Sequence, residues 1–452
     1  MTTPANRFAM CCGLIGSAAT TALAGSPTWS NTLGTPGMTG AYVASFAVHD
    51  DGSGESLYAI GQFGSAGAAA GTTNLARWDG AAWNSVGGGL PGQFANALAV
   101  YQGDLFAGGY FDSADGVAGT EKLARWDGAQ WHSMNADMSH FADSVWDVLT
   151  FDDGSGEKLF IAGNYTDIGA PGGPSHLSTW DGTNYDSVGA TIGGAVPLIV
   201  LDLAVADLGG GPRLYASGRF LNIGGVAANN IAVWDGAAWS PLGGGLTQSS
   251  GFAQVATMTE FDDGSGPALY AGGSFQFAGG TPAVRVARWD GSTWTPMGAG
   301  FQSTVQELVV FDDGSGESLY AVGSFEADTG GIDHIAKWTG SVWEQVGDGA
   351  DANCFGAIVY DAGEGNALHI GGSFENAGGL ASNRVVSLIA ASGGCNEADV
   401  AEPFDVLDLA DVQAFVAAFV GGDPLADVAP PFGVLDLADV QAFISAFIAG
   451  CP

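Results

Sequence analysis

Basic side chains are scarce: 11 Lys and Arg stand against 48 Asp and Glu, a formal net charge of −37 at pH 7 across 452 residues. A surface so acidic repels nucleic acid and anionic lipid, which excludes polyanion binding as a role. Charge is sparse altogether, at 13% of residues, yet an apolar fraction of 46% is too high for a disordered chain. Long hydrophobic runs are missing too, since no stretch beyond the amino terminus stays apolar for the ~20 residues of a membrane helix. Cysteine is rare, at five residues. The abundant residue is glycine, with 74 copies beside 13 Trp and 25 Phe, the composition of a protein rich in strands and turns.

The first 24 residues have the layout of a cleavable secretory signal: Arg7, then a weakly charged apolar stretch from Phe8, ending in Ala22-Leu23-Ala24. Export is the expectation, with a secreted or cell-surface location and a mature chain that has no membrane span. Cleavage removes Cys11 and Cys12 and leaves Cys354, Cys395 and Cys451 in an oxidising compartment. Cys395 and Cys451 bracket the last segment and are the expected disulfide, with Cys354 left as a free thiol.

A tryptophan recurs at Trp78, Trp126, Trp180, Trp234, Trp289 and Trp338, mostly within Arg-Trp-Asp-Gly, at spacings of 48, 54, 54, 55 and 49 residues. Periods of this length suit propeller blades, and the glycine content argues against helical repeats. A strand-like run of the type Leu-Tyr-Ala-x-Gly-x-Phe appears seven times, from Leu57, Leu105, Leu159, Leu214, Leu269, Leu319 and Leu368. Each copy has Gly at its fifth position (Gly61, Gly109, Gly163, Gly218, Gly273, Gly323, Gly372) and an aromatic at its seventh. That pattern fits a strand whose backbone is closely approached by a neighbour.

The preceding strand joins it through Asp-Asp-Gly-Ser-Gly, after His49, Phe151, Phe261 and Phe311, where Asp-Gly between apolar runs signals a tight hairpin. A third strand ends in Trp-Asp-Gly, and a short fourth begins at Trp83, Trp239, Trp294 and Trp343. The last repeat, Phe355 to Ala391, stops after its third strand, Val385 to Ala390. The missing piece stands at the other end, where Trp29-Ser30-Asn31-Thr32-Leu33-Gly34 precedes the first complete first strand, Ala41 to Val48. Pairing the two would close a ring and remove two open sheet edges. The expected fold of residues 25–391 is therefore a seven-bladed β-propeller with an amino-terminal strand closing the last blade.

The Gly-Gly pairs at Gly108-Gly109, Gly272-Gly273 and Gly371-Gly372, with a Trp after each hairpin, resemble the kelch and galactose-oxidase-like propellers. That resemblance implies ligands at a mouth of the central channel or on its loops, without naming them. Copper oxidases of this fold join Tyr, His and Cys in one cluster, and no such cluster is legible here. The six histidines, His49, His132, His140, His176, His334 and His369, fall in different repeats without metal-ligand spacing and read as structural. Cys354, in a loop-like stretch after Asn353, has no basic neighbour to lower its pKa. Asp312, Asp313 and their equivalents read as hairpin residues, with a calcium loop as the competing reading. The recurrent Trp reads as inter-blade core, with sugar stacking as its competitor.

After Ser392-Gly393-Gly394 a duplicated segment of 28-residue period takes over, Asp399 to Phe415 being echoed by Asp427 to Phe443. Each copy reads as a loop and an amphipathic helix, with Val412, Phe415, Val416 and Phe419, then Val440, Phe443, Ile444 and Phe447, on one apolar face. Residues 392–452 are thus expected to form a small all-α domain of two loop-helix units. So thin a core gains about 2 to 5 kcal/mol from a disulfide clasp.

Paired units of this kind, framed by Gly394-Cys395 and Gly450-Cys451, resemble a type I dockerin and its Gly-Cys-ended bacterial subgroup. The resemblance implies a cohesin-like protein or cell-envelope component as partner and places calcium ligands at Asp399, Asp408 and Asp411, and at Asp427, Asp436 and Asp439. The middle of each loop departs from it, with Ala401-Glu402-Pro403-Phe404 and Ala429-Pro430-Pro431-Phe432 where dockerins place Asn or Asp. The competing reading makes Asp408 and Asp436 helix N-caps. The sequence offers no catalytic residues, and the expected function is binding or scaffolding. The alternatives are a tethered carbohydrate-active enzyme, which needs carboxylates or a metal cluster that only folding assembles, and a structural envelope protein.

Overall fold

The computed structural model describes residues 26–138, 140, 142–170, 172–189, 191–194, 198–326 and 332–391, together with Val412, Phe415, Val416, Phe419 and Val440. Compact units divide the chain in two: one holds Trp29–Phe311 and Ser318–Leu388, the other Asp312–Glu317 with both ends of the chain.

Seven four-stranded sheets follow one another among the described residues. The first is built from Met38–Asp50, Glu55–Ala66, Leu75–Trp78 and Trp83–Ser85, and the second from Gly92–Tyr101, Asp104–Phe111, Leu123–Trp126 and Trp131–Ser133. The third to sixth repeat this order, with first strands Val145–Asp152, Ile199–Ala206, Gln254–Asp262 and Val305–Asp312. In the seventh, Cys354–Asp361, Asn366–Gly372 and Val385–Ile389 are completed by Thr28–Ser30, paired to Val385–Ile389 as expected. Cys354 accordingly opens a strand rather than lying in a loop. Two-residue hairpins, such as Asn222–Ile223 with Val226–Ala227, are additions that the sequence reading did not foresee.

The repeated turns have a local cause. In Asp-Asp-Gly-Ser-Gly the first carboxylate accepts two backbone N–H groups, Asp312 Oδ1 from Gly314 at 2.8 Å and from Gly316 at 2.9 Å. The second accepts from the serine, Asp313 Oδ1 from Ser315 N at 3.1 Å and Oγ at 2.6 Å. The same arrangement recurs at Asp50, Asp152 and Asp262. These oxygens serve the hairpin, which favours the turn reading over a calcium loop.

Tryptophan binds sheet to sheet. Trp294 Nε1 donates to Leu242 O at 2.9 Å, Trp239 to Val188 O at 2.9 Å, and Trp131 to Val86 O at 3.3 Å. In each case the acceptor lies just past the fourth strand of the preceding sheet. Tyr185 takes the same place in the third sheet, its hydroxyl donating to Met134 O at 2.9 Å. Trp83 of the first sheet donates to Leu33 O at 2.8 Å, beside the strand that completes the seventh. Trp29 packs over Gly347 and Gly378 as Trp294 packs over Gly243 and Gly279. Trp78, Trp83, Trp126, Trp131, Trp234, Trp239, Trp289 and Trp294 are all buried, as inter-sheet core requires.

The fifth-position glycines govern the first strands. A Cβ at Gly61, Gly163, Gly218, Gly273, Gly323 or Gly372 would overlap the carbonyl oxygen of Tyr42, Ser144, Ile199, Gln254, Thr304 or Asn353, and at Gly109 the Ala95 Cα. That close approach accompanies a β-bulge in the facing strand, with register shifts at Val43/Ser45, Ala95/Ala97, Val145/Asp147, Val200/Asp202, Val255/Thr257 and Cys354/Gly356. Each bulge leaves one extra residue unpaired and re-aims its neighbours.

Of the carboxyl-terminal segment, Val412, Phe415, Val416, Phe419 and Val440 are helical. Phe415 is buried and its ring stacks on Phe419 with centroids 6.0 Å apart, whereas Val416, expected on the same apolar face, is exposed. The other residues of the expected 392–452 domain and the 1–24 signal lie outside the described residues.

Candidate functional site

The six bulges place their residues around one cavity of about 400 Å³, to which the first strand of every sheet contributes. Tyr42, Ala44 and Ser45 come from the first sheet, Asn96 from the second, and Trp146 and Asp147 from the third. Leu201 and Asp202 follow from the fourth, Gln254 and Ala256 from the fifth, Gln306 and Glu307 from the sixth, and Phe355 from the seventh. Aromatic surface gathers at one place, where the Tyr42 and Phe355 rings lie 5.0 Å apart. Trp146 lies 5.8 Å from Phe94.

Three carboxyl groups share this cavity. Asp147 Oδ2 accepts from Leu203 N and Oδ1 from Val148 N, both at 2.8 Å. Glu307 Oε1 accepts from Thr257 Oγ1 at 2.8 Å and from Leu308 N at 3.1 Å. Asp202 accepts from the Met258 backbone N–H, but its Oδ2 is shielded from solvent and has no hydrogen-bond partner. The Trp146 indole N–H is likewise unpartnered.

As residues the three acids are half-buried, because each shows a side to the cavity. Their carboxyl groups are nonetheless enclosed by protein, and this burial raises Asp147 and Glu307 to about 7 despite the N–H donors that oppose it. Burial raises Asp202 well above the ordinary carboxyl range, and the nearby Asp147 and Glu307 charges add to the effect. Among the described residues no Lys, Arg or His lines the cavity.

Sequence reasoning did not find these acids, although a signal was present. Aligned on Val43, Ala95, Val145, Val200, Val255, Val305 and Cys354, the seven first strands carry Ser45, Ala97, Asp147, Asp202, Thr257, Glu307 and Gly356 two residues on. Acidic residues there interrupt otherwise apolar strands, and the bulge hides the break in alternation.

The histidines occupy structural positions with one exception. His176 and His334 have φ of 64° and sit just before the third strand, where Asn74, Lys122, Asn230, Arg285 and Arg384 also have positive φ. From that position the backbone carbonyl accepts the N–H of the fifth-position glycine, as in Gly163 N to His176 O at 2.9 Å and Gly323 N to His334 O at 3.0 Å. His369 is buried between Ser387 Oγ at 2.8 Å and Tyr360 O at 2.9 Å. His49 is buried against Tyr58, and His132 Nε2 meets Asp127 Oδ2 at 2.5 Å in a turn.

The exception is His140, which the fold brings to 3.6 Å from Asp143 and 3.4 Å from Asp167. Among the described residues this is the one His, Cys, Asp or Glu trio whose ligand atoms all lie within 4.8 Å. Loop amides already use its oxygens: Asp143 Oδ2 accepts from His140 N, Asp143 Oδ1 from Thr166 N and Asp167 Oδ2 from Gly172 N, each at 3.2 Å. The trio therefore acts as a loop staple. Cys354 is fully buried and burial pushes its thiol pKa up, which makes it inert.

The calcium positions drawn from the sequence, Asp399, Asp408, Asp411, Asp427, Asp436 and Asp439, and the Cys395–Cys451 disulfide lie outside the described residues. No protein-family model matches the chain, and no curated protein does. Solved structures similar to it include the extracellular domain of BT4673 from B. thetaiotaomicron, assigned to a one component system, at TM-score 0.47 and 9% identity. That match covers 80% of this chain and 39% of the other. The same domain, assigned to a hybrid two component system, matches at TM-score 0.47 and 11% identity over 80% of this chain and 40% of that one. This chain spans less than half the length of those it matches.

Proposed function

We propose that this chain is a secreted, non-catalytic binding protein in which a seven-bladed β-propeller holds a small ligand in the cavity shared by its first strands. The observation that carries this reading is the convergence of all seven first strands on one lining with unsatisfied polar groups. Concave, mostly preformed sites with a few placed polar groups are where small molecules bind. The signal-like segment supports export. The duplicated carboxyl-terminal segment supports attachment to a cohesin-like protein or cell-envelope component, with calcium at Asp399, Asp408, Asp411, Asp427, Asp436 and Asp439.

A second reading, a carbohydrate-active enzyme, is favoured by one observation: the three carboxyl groups do converge. Acid-base pairs divide their labour by pKa values driven apart. Here burial drives Asp147, Asp202 and Glu307 all upward, with Asp147 and Glu307 raised alike to about 7, so these two are not set apart into acid and base. The binding reading therefore takes precedence.

The test is a thermal-shift screen of the full chain against soluble mono- and oligosaccharides, amines and divalent metals, repeated with Trp146→Ala. Stabilisation by a compound that is recovered chemically unchanged, and loss of the effect in Trp146→Ala, is expected. Turnover of the bound compound would establish the enzyme instead. For the attachment role, cells expressing a chain ended after Ala391 are expected to release it to the medium, whereas the full chain stays with the envelope fraction.

A further inference from the structure

The described residues lining the shared cavity include three acids and no basic side chain, and two of their polar atoms, one an acceptor and one a donor, have no partner. Water satisfies such groups only where it reaches them, and Asp202 Oδ2 and Trp146 Nε1 are both closed off from solvent. Three acidic residues lining one cavity, with no basic side chain among its described lining residues to offset them, call for a positively charged hydrogen-bond donor. A divalent metal is a poor fit, because the three acids do not bring their oxygens within 4.8 Å of one another as a group. The walls between the acids are apolar or aromatic at Tyr42, Leu201 and Phe355, which suits a carbon skeleton.

We propose that the cavity takes a small protonated primary amine with an aromatic body. The ammonium group donates to Asp202, Asp147 and Glu307, whose charges it offsets, and the aromatic body lies against Trp146, Tyr42 and Phe355, whose ring faces also favour a cation. The ionisable groups lining the cavity are Tyr42 on the first sheet, Asp147 on the third, Asp202 on the fourth and Glu307 on the sixth. Burial holds Tyr42 neutral, so it adds no competing charge. The three acids ionise more completely as the amine arrives, and amine binding strengthens as pH rises through about 7.

This inference rests on the shared cavity being a binding site. Its test is calorimetric titration of the full chain at about pH 8 with tyramine, and with tyrosol, which replaces the amine by a neutral hydroxyl; glucose and calcium chloride complete the set. Tyramine is expected to bind at least about tenfold more tightly than tyrosol, a difference of about 1.4 kcal/mol. Asp202→Asn, which keeps an acceptor for the Met258 N–H, and Glu307→Gln, which keeps one for Thr257, are each expected to weaken tyramine at least about tenfold and to affect tyrosol, whose donor is uncharged, far less. Equal binding of tyrosol, or tyramine binding indifferent to both variants, overturns the amine. Binding of glucose or calcium without tyramine, abolished by Trp146→Ala, overturns the amine and leaves the cavity as a binding site. Failure of all four probes to bind overturns both.

Discussion

The backbone N–H of Leu203 donates to Asp147 Oδ2 at 2.8 Å, so a carboxyl group on the third sheet is anchored by the main chain of the fourth. Asp147→Ala orphans that N–H and the Val148 N–H together. A loss of about 2 to 4 kcal/mol is expected, from two buried donors at about 1 to 3 each with partial relief by cavity water. Urea unfolding of variant and parent measures it, and an unchanged midpoint would remove Asp147 from the architecture of the site.

Stability should also depend on pH in an unusual direction. Asp147 and Glu307 are raised to about 7 and Asp202 higher, against about 4 for a carboxyl in the unfolded chain. Between those values the folded protein holds protons that the unfolded chain has released, so stability falls as pH rises. The contribution of the trio is complete below about pH 4 and is lost through about pH 7. A drop in Tm on the order of 5 °C from about pH 5 to about pH 8 is expected, shallower in Asp202→Asn. Calorimetric scans at several pH values check it, and identical slopes for both proteins would contradict it.

Gly273 faces the Gln254 carbonyl so closely that a methyl group has no room. Gly273→Ala should cost about 1 to 3 kcal/mol by overpacking and shift the bulge that carries Gln254 and Ala256 into the cavity. Weaker ligand binding together with a lower unfolding midpoint is the expected outcome. Stability loss with intact binding would show that the glycine and the bulge are independent.

Trp294 separates a hydrogen bond from packing. Trp294→Phe keeps most of the ring but leaves Leu242 O without its 2.9 Å donor, at a cost of about 1 to 2 kcal/mol. Trp294→Ala should cost about 3 to 5 kcal/mol. Equal losses in urea unfolding would mean that the indole N–H contributes nothing.

Cys354 should resist alkylation in the native protein. It is completely buried, with its thiol pKa pushed up by that burial. Peptide mapping after iodoacetamide treatment is expected to find it modified only when the protein is first unfolded. Rapid native labelling would place this thiol at a mobile edge.

Much of the architecture was legible because each repeat restates the same local chemistry. Trp-Asp-Gly turns, fifth-position glycines and the displaced Trp29 strand announce seven sheets and the completion of the last, since every copy solves the same turn, clash and packing problem. The site was hidden for the complementary reason. Asp147, Asp202 and Glu307 lie far apart in sequence and come to one cavity only because the first strands of the third, fourth and sixth sheets line the same space, the first two of them through bulges. His140 and Asp143 are close in the chain, but their neighbour Asp167 is delivered by the next hairpin, which spacing alone did not disclose. The two-residue hairpins escaped notice because strands so short carry no periodic signal.

The seventh sheet draws Thr28–Ser30 and Val385–Ile389 from opposite extremes of the repeat array. A chain made from its amino terminus must therefore keep its leading strand unmated until the final repeat has been synthesised. Six sheets can assemble in order of synthesis, but the seventh is a non-local event that waits for the whole array, and such events are slow. Truncation at either extreme would leave that sheet one member short, and assembly works here as a check that the array has been delivered intact.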